Sequence, residues 1–180
     1  VDCVKLAIYE VMKRKPDLLV SGVNHGYNTA PNVLYSGTMS AAVEGAMEGI
    51  PSIGFSLGSY DADADFSGTT EVIQSVVKEV LEKGMQEGVC LNVNIPPVSE
   101  GPVKGIKVCR QAHAYWADRF ESRKDQFGKP YYWMTGDFVD QKPADDTDLH
   151  WIAEGYATVV PTQFDLTSYS AIKELENWEL

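Results

Sequence analysis

The sequence predicts an α/β fold on a mostly parallel sheet, and three observations carry that expectation. Helix-like and strand-like runs alternate over residues 2–110. The first strand-like runs are short and continuously apolar, as strands covered on both faces require. The 180 residues, 44% of them hydrophobic, suffice for one domain with a sizeable core.

The elements follow in order. Residues 2–15, DCVKLAIYEVMKRK, place Val4, Ala7, Ile8, Val11 and Met12 at helical spacing, with Asp2 and the basic residues at the ends that the helix dipole favours. Pro16 stops this helix, and DLLVSG then reads as a short buried strand ending at a glycine. After a polar loop, GTMSAAVEGAMEGI sets Met39, Ala42, Val43, Ala46, Met47 and Ile50 on one side of a helix whose small residues allow close packing. PSIGFSL is a second buried strand, closed by GSYDADADFSG. Residues 69–83 present Val72, Ile73, Val76, Val77, Val80 and Leu81 opposite charges, and Gly84 supplies the stop. GVCLNVNIP and VKGIKVCR complete the strands. Beyond about residue 110, Tyr115, Trp116, Tyr131, Tyr132 and Trp133 stand among charges, Gly and Pro, as in hairpins or arms that pack outside the main core. The boundary is set at 1–108 for the core and 109–180 for C-terminal arms, hairpin and terminal helix of the same domain.

Charge removes some functions. Fifteen Lys and Arg against 26 Asp and Glu give −11, a field that repels polyanions, so neither a nucleic acid nor a membrane surface is an expected partner. An anionic substrate therefore needs a local positive device, such as a metal ion or a helix N-terminus. No apolar run reaches the length of a membrane span. Cys3, Cys90 and Cys109 lack CxxC spacing and read as reduced core residues of a cytoplasmic protein.

The loop SGVNHGYNTAPNVLYSGT, residues 21–38, supplies such a device. Ligands in open α/β sheets bind beyond the carboxyl ends of the strands, and DLLVSGVN delivers Asn24 to that edge. Ser36, Gly37 and Thr38 stand at the start of the following helix, where unpaired N–H groups and the dipole suit a phosphate oxygen. No Lys occurs between Lys15 and Lys78, so this is not a Walker loop, and the dinucleotide GxGxxG pattern is absent. The amide oxygen of Asn24 suits a hard cation such as Mg²⁺ or Mn²⁺, with carboxylates supplied from elsewhere. The bland alternative is that Ser21, Asn24, Asn28, Ser36 and Thr38 turn a loop and cap a helix.

PDLLVSGVNHGYN followed by VLYSGTMSAAVEGAMEGIPSIGFSL closely resembles the signature of the SurE family of metal-dependent 5'-nucleotidases, with its SGIN, GxN and YSGT steps. DCVKLAI matches the helix before that signature, and EGYATVVPTQFDLT looks like the family's GYVSVTPLxxDLT. The resemblance implies a Rossmann-like three-layer sandwich and hydrolysis of nucleoside 5'-monophosphates with Mn²⁺ or Mg²⁺. It also implies a homodimer or homotetramer exchanging C-terminal arms; 3'-nucleotides and short polyphosphate stay open as further substrates, because no motif fixes the contacts to the base. It places Asn24 as a metal ligand, Ser36, Gly37 and Thr38 against the phosphate, and Asn28 in the same phosphate-binding loop. The family's NDDG motif, whose two Asp ligate the metal, and a further Ser ligand have no counterpart in these residues. The resemblance is thus to a SurE chain without its N-terminal strand, and the alternative reading is a catalytically incomplete phosphate- or nucleotide-binding relative.

Other residues carry weaker signals. Asp61, Asp63 and Asp65 lack the glycine and distal glutamate of a Ca²⁺ loop and read as a solvated turn. Asp145, Asp146 and Asp148 read as turn and cap residues. His25, His113 and His150 form no metal-binding spacing; His25, inside the signature loop, reads as a partly exposed variable residue rather than a proton donor. The aromatics of residues 115–133 suit packing between arms better than base stacking, and Arg119, Arg123 and Lys124 read as a solvated face.

Overall fold

The computed structural model describes residues 1–179. Among the described residues there are seven strands: β1 (Leu19–His25), β2 (Ser52–Leu57), β3 (Val89–Ile95), β4 (Ile106–Val108), β5 (Ala114–Lys124), β6 (Pro130–Asp140) and β7 (Ala157–Gln163). Five helices accompany them: α1 (Asp2–Leu6), α2 (Gly37–Met47), α3 (Thr70–Lys83), α4 (Asp148–Ala153) and α5 (Tyr169–Leu175). The main sheet has the order β1-β2-β3-β7-β4, parallel throughout except where β7 runs antiparallel to β3.

The period of two in β2 sorts the layers. Ile53 and Phe55 face α3, whose Val72, Val76 and Val80 close a core with Val93 and Ile95 of β3 and Ala157 and Val159 of β7. Ser52, Gly54 and Ser56 alternate with them. On their side lies α2, where Met39, Ala42 and Ala46 pack with Cys90. A Cβ at Gly54 would strike the Met39 sulfur, and one at Gly45 would strike Ser52, so these glycines set how closely α2 approaches the sheet. The result is the three-layer mixed α/β architecture that the sequence predicts.

Three expectations change. The helix expected over 2–15 is α-helical only to Leu6, continues as a π-helical segment over Ala7–Val11 and becomes extended at Met12. None of its residues is buried. Val4, Ala7 and Ile8 are half-buried, and polar contacts tie the segment to α2 and its C-terminal end: Lys5 lies 3.3 Å from Glu44, and the Tyr9 hydroxyl donates to Glu48 at 2.7 Å. The strand expected to end at Gly22 runs on through a bulge to His25 and is a half-buried edge strand. Cys3 is exposed and Cys109 half-buried, so of the three cysteines only Cys90 is a core residue.

After residue 108 the chain does two things. β5 and β6 form a separate two-stranded hairpin whose 11-residue strands are exposed apart from their base, where Ala114 is buried. α4 and β7 then return to the main sheet, with β7 between β3 and β4. No helix among the described residues is long and apolar enough to cross a membrane.

Candidate functional site

The site starts at the carboxyl end of β1. Gly22 takes φ +115°, and a Cβ there would collide with the Phe55 carbonyl, so the bulge requires glycine. Beyond it, pairing resumes at Asn24 opposite Ser56. The Asn24 amide NH₂ donates to the His25 carbonyl at 2.8 Å and the Gly26 carbonyl at 3.1 Å. Its Oδ1 is thereby oriented as an acceptor with no donor among the described residues. That oxygen fits one position of a hard-cation shell; a single amide oxygen is not a complete site. The described residues contain no group of three His, Cys, Asp or Glu that could hold a metal.

Asn28 stands four residues further along the same loop. It is buried: its side-chain NH₂ donates to Ser56 Oγ at 2.7 Å, its backbone N–H donates to Asn94 Oδ1 at 2.7 Å, and its carbonyl accepts from Asn92 Nδ2 at 2.8 Å. Asn94 Nδ2 closes the network by donating to Asn92 Oδ1 at 3.0 Å. Beyond the bond to Ser56, the Asn28 amide keeps a second N–H and its oxygen. These bonds anchor the loop to β2 and β3 through Asn28. Sequence reading missed Asn92 and Asn94, although amides two apart in the run VCLNVNI share one strand face and, once buried, require partners.

The next anchor reaches across the chain. Ala30 holds φ +51°, unusual for a residue with a side chain, and donates its N–H to Asp148 Oδ2 at 2.8 Å. The other carboxylate oxygen accepts from Ala112 and Leu149, each at 2.9 Å. Asp148 is wholly buried. Burial pushes its carboxyl above the ordinary range, and the N–H donors from Ala30, Ala112 and Leu149 oppose that shift. Asp148 is expected as a cap residue, but Thr147 caps α4 by accepting the His150 N–H, and Asp148, the first residue of the helix, joins the signature loop to the hairpin base.

The third part is the start of α2. Ser36, buried, caps the helix: its Oγ accepts the Met39 N–H at 3.0 Å, and its carbonyl accepts both the N–H and the hydroxyl of Ser40. The Gly37 and Thr38 N–H groups have no acceptor among the described residues. A Cβ on Gly37 would meet nothing within 4 Å, so this helix end is open, whereas the Thr38 methyl lies over Gly54 of β2. Gly54 pairs with Ser21, and Ser56 with Asn24. Asn24, Asn28 and Thr38 are thus gathered over Gly54–Ser56, with two open N–H donors and one open amide oxygen.

The remaining sequence signals separate cleanly. Asp61, Asp63 and Asp65 are exposed, and Asp65 accepts the Ser67 N–H at 2.8 Å, which holds its carboxyl below the ordinary range. His25 packs edge-on against Phe66 at 5.0 Å. Arg119 pairs with Asp137 at 2.9 Å, and Arg123 with Glu121 at 2.6 Å, on the exposed hairpin. Burial raises the Cys90 thiol to about 11; the Cys109 thiol is pushed up to about 12 by burial, then by Asp148 and Asp146. Tyr27, inside the loop, has a buried hydroxyl without a partner among the described residues, and its ring occupies the space that a Gly58 side chain would need.

The chain is similar to known proteins. Residues 1–118 match the family described as Survival protein SurE. The protein named 5'-nucleotidase SurE from Flavobacterium psychrophilum is 56% identical over 180 residues, covering all of this chain and 70% of the relative. Its namesake from Christiangramia forsetii is 55% identical over 179 residues, 99% of this chain and 69% of the relative. The crystal structure of SurE protein from Aquifex aeolicus superposes with a TM-score of 0.81 at 38% identity, covering 97% of this chain and 71% of that one. With the family match running from α1 into the hairpin base and these relatives aligned along nearly the whole chain, the protein belongs to the SurE family.

Proposed function

We propose that the chain is a phosphomonoester hydrolase acting on nucleoside 5'-monophosphates, with 3'-nucleotides and short polyphosphate as further substrates of the same chemistry. The observation that carries the reading is the open start of α2, where the Gly37 and Thr38 N–H groups face no protein acceptor. These donors and the helix dipole attract phosphoryl oxygens in a chain of net charge −11, and they remain in place as charge builds on those oxygens during transfer. Ser36 acts on substrate only indirectly, by keeping the first turn in register through its cap. Asn24 offers its Oδ1 to a divalent cation, Mn²⁺ or Mg²⁺. Bound there with further oxygen ligands, such an ion polarises the phosphoryl group and lowers the pKa of an attacking water. The names of the relatives support the same activity.

The hairpin and the exposed apolar residues of α5, Tyr169, Ile172 and Leu175, suit a homodimer or homotetramer built through C-terminal arms. The division of the domain at residue 108 into core and arms follows that use. A cytoplasmic location fits the unpaired cysteines.

One observation favours the second reading, a phosphate- or nucleotide-binding relative without catalysis: Asn24 brings a single neutral oxygen, fewer ligands than a hard cation needs. Phosphate release from adenosine 5'-monophosphate, with Mn²⁺ and with EDTA, separates the two. Chelator-sensitive release supports the hydrolase. Nucleotide binding without release supports the second reading, and release indifferent to EDTA contradicts the role given to Asn24.

A further inference from the structure

The chain leaves β2 through GSYDADADF, residues 58–66, and both aromatics of this connection rest on the turn that follows Asn24. A Cβ on Gly26 would fall on the Tyr60 ring, so the phenol lies where Gly26 has no side chain. The Gly26 N–H is held by the same segment: it donates to the Leu57 carbonyl at 2.8 Å and to the Ser59 carbonyl at 2.9 Å. With φ +84° and this ring against it, position 26 requires glycine. At the other end of the connection Phe66 packs edge-on against His25. The Phe66 carbonyl accepts both the N–H and the hydroxyl of Thr69, which fixes it at the start of the 3-10 turn Ser67–Thr69.

These contacts fall on two particular residues. His25 and Gly26 are the ones whose carbonyls accept the Asn24 amide NH₂, and so the ones that turn its Oδ1 outward. We propose that Tyr60 and Phe66 are positioning residues for Asn24, holding the two carbonyls in place and through them the direction of the amide oxygen; the proposal rests on the cation reading of Asn24 above. Hydrogen bonds of an exposed side chain are individually weak, because water competes for both partners, so the orientation depends on what keeps the turn closed. An amide that swings round presents its NH₂ group, which donates and cannot ligate a cation. The packing is reciprocal at the next residue, where the Tyr27 ring fills the space over Gly58. Asp61, Asp63 and Asp65, between the two aromatics, are exposed and leave the contact to the rings.

Tyr60 is 78% exposed, so its removal should leave the melting temperature within about 2 °C of the parent's. A merely structural part would show in that temperature, whereas a positioning part shows at Asn24. The measure is the exchange of the Asn24 side-chain amide protons with water, read by heteronuclear NMR on the whole chain with the signals assigned through Asn24→Ala. Tyr60→Ala and Phe66→Ala should each raise the exchange rate several-fold, and Tyr60→Phe, which keeps the ring, should match the parent. In a titration with Mn²⁺, paramagnetic broadening of the Asn24 signals should need several-fold more metal in Tyr60→Ala than in the parent. Phe66 is half-buried, so if Phe66→Ala loosens the turn more widely, the two Tyr60 variants decide. An exchange rate in Tyr60→Ala equal to the parent's would overturn the proposal. Faster exchange in Tyr60→Ala, without any Mn²⁺ broadening at Asn24 in the parent, would keep the positioning role and remove the cation reading instead.

Discussion

The loop between β1 and α2 and the hairpin of β5 and β6 both project from the sheet, and they are held in opposite ways. The loop is pinned by buried polar groups: Asn28 to Ser56, Asn92 and Asn94, and Ala30 to Asp148. The hairpin is held along its own length by an 11-residue antiparallel register and touches the body at its base, through Ala112, Ala114 and Trp116. Buried hydrogen bonds fix one conformation because each unmade bond leaves a desolvated group, whereas exposed strands tolerate exchange of side chains. The loop is therefore the part built to hold a geometry, and the hairpin the part free to vary its surface.

Substitutions can break that contrast, beginning with the largest effect. Asp148→Ala strands the N–H groups of Ala30, Ala112 and Leu149 and should lower unfolding free energy by about 3 kcal/mol in a denaturant titration. Asn94→Ala removes two bonds of the amide network and should cost about 2 kcal/mol by the same measurement. On the hairpin, Tyr132→Ser should move unfolding by less than about 0.5 kcal/mol; a loss comparable to that of Asn94→Ala would erase the distinction between the two regions. Alkylation of the native chain near neutral pH should mark Cys3 alone, since burial keeps Cys90 and Cys109 protonated, and modification of all three would place their surroundings in solvent.

Much of this was legible in the sequence. Apolar runs located β2, β3 and α3 because a buried strand or helix face must be apolar at its own period, and SGT before an apolar helix located the start of α2, whose first N–H groups are open. Less legible was the division of labour within the loop. Asn24, Asn28 and Ser36 are equivalent as polar loop residues, and only the tertiary structure shows that Asn28 and Ser36 face inward while the Asn24 oxygen, Gly37 and Thr38 remain open. Asp148 reads as a cap from its place beside the start of α4, but Thr147 is the cap; the bond of Asp148 to Ala30 spans most of the chain, beyond the reach of local pattern. The helix at residues 2–15 has the periodicity of a packed element, but packing depends on neighbours that a pattern does not name.

The most direct test compares Gly37→Val with Asn28→Ala by thermal unfolding, with and without inorganic phosphate. A side chain at Gly37 meets nothing in the protein but occupies the open helix start. Gly37→Val should keep the parent's melting temperature and lose the upward shift that phosphate produces. Asn28→Ala should melt earlier and still respond to phosphate. A Gly37→Val protein that phosphate stabilises as fully as the parent would contradict the anion site at the start of α2.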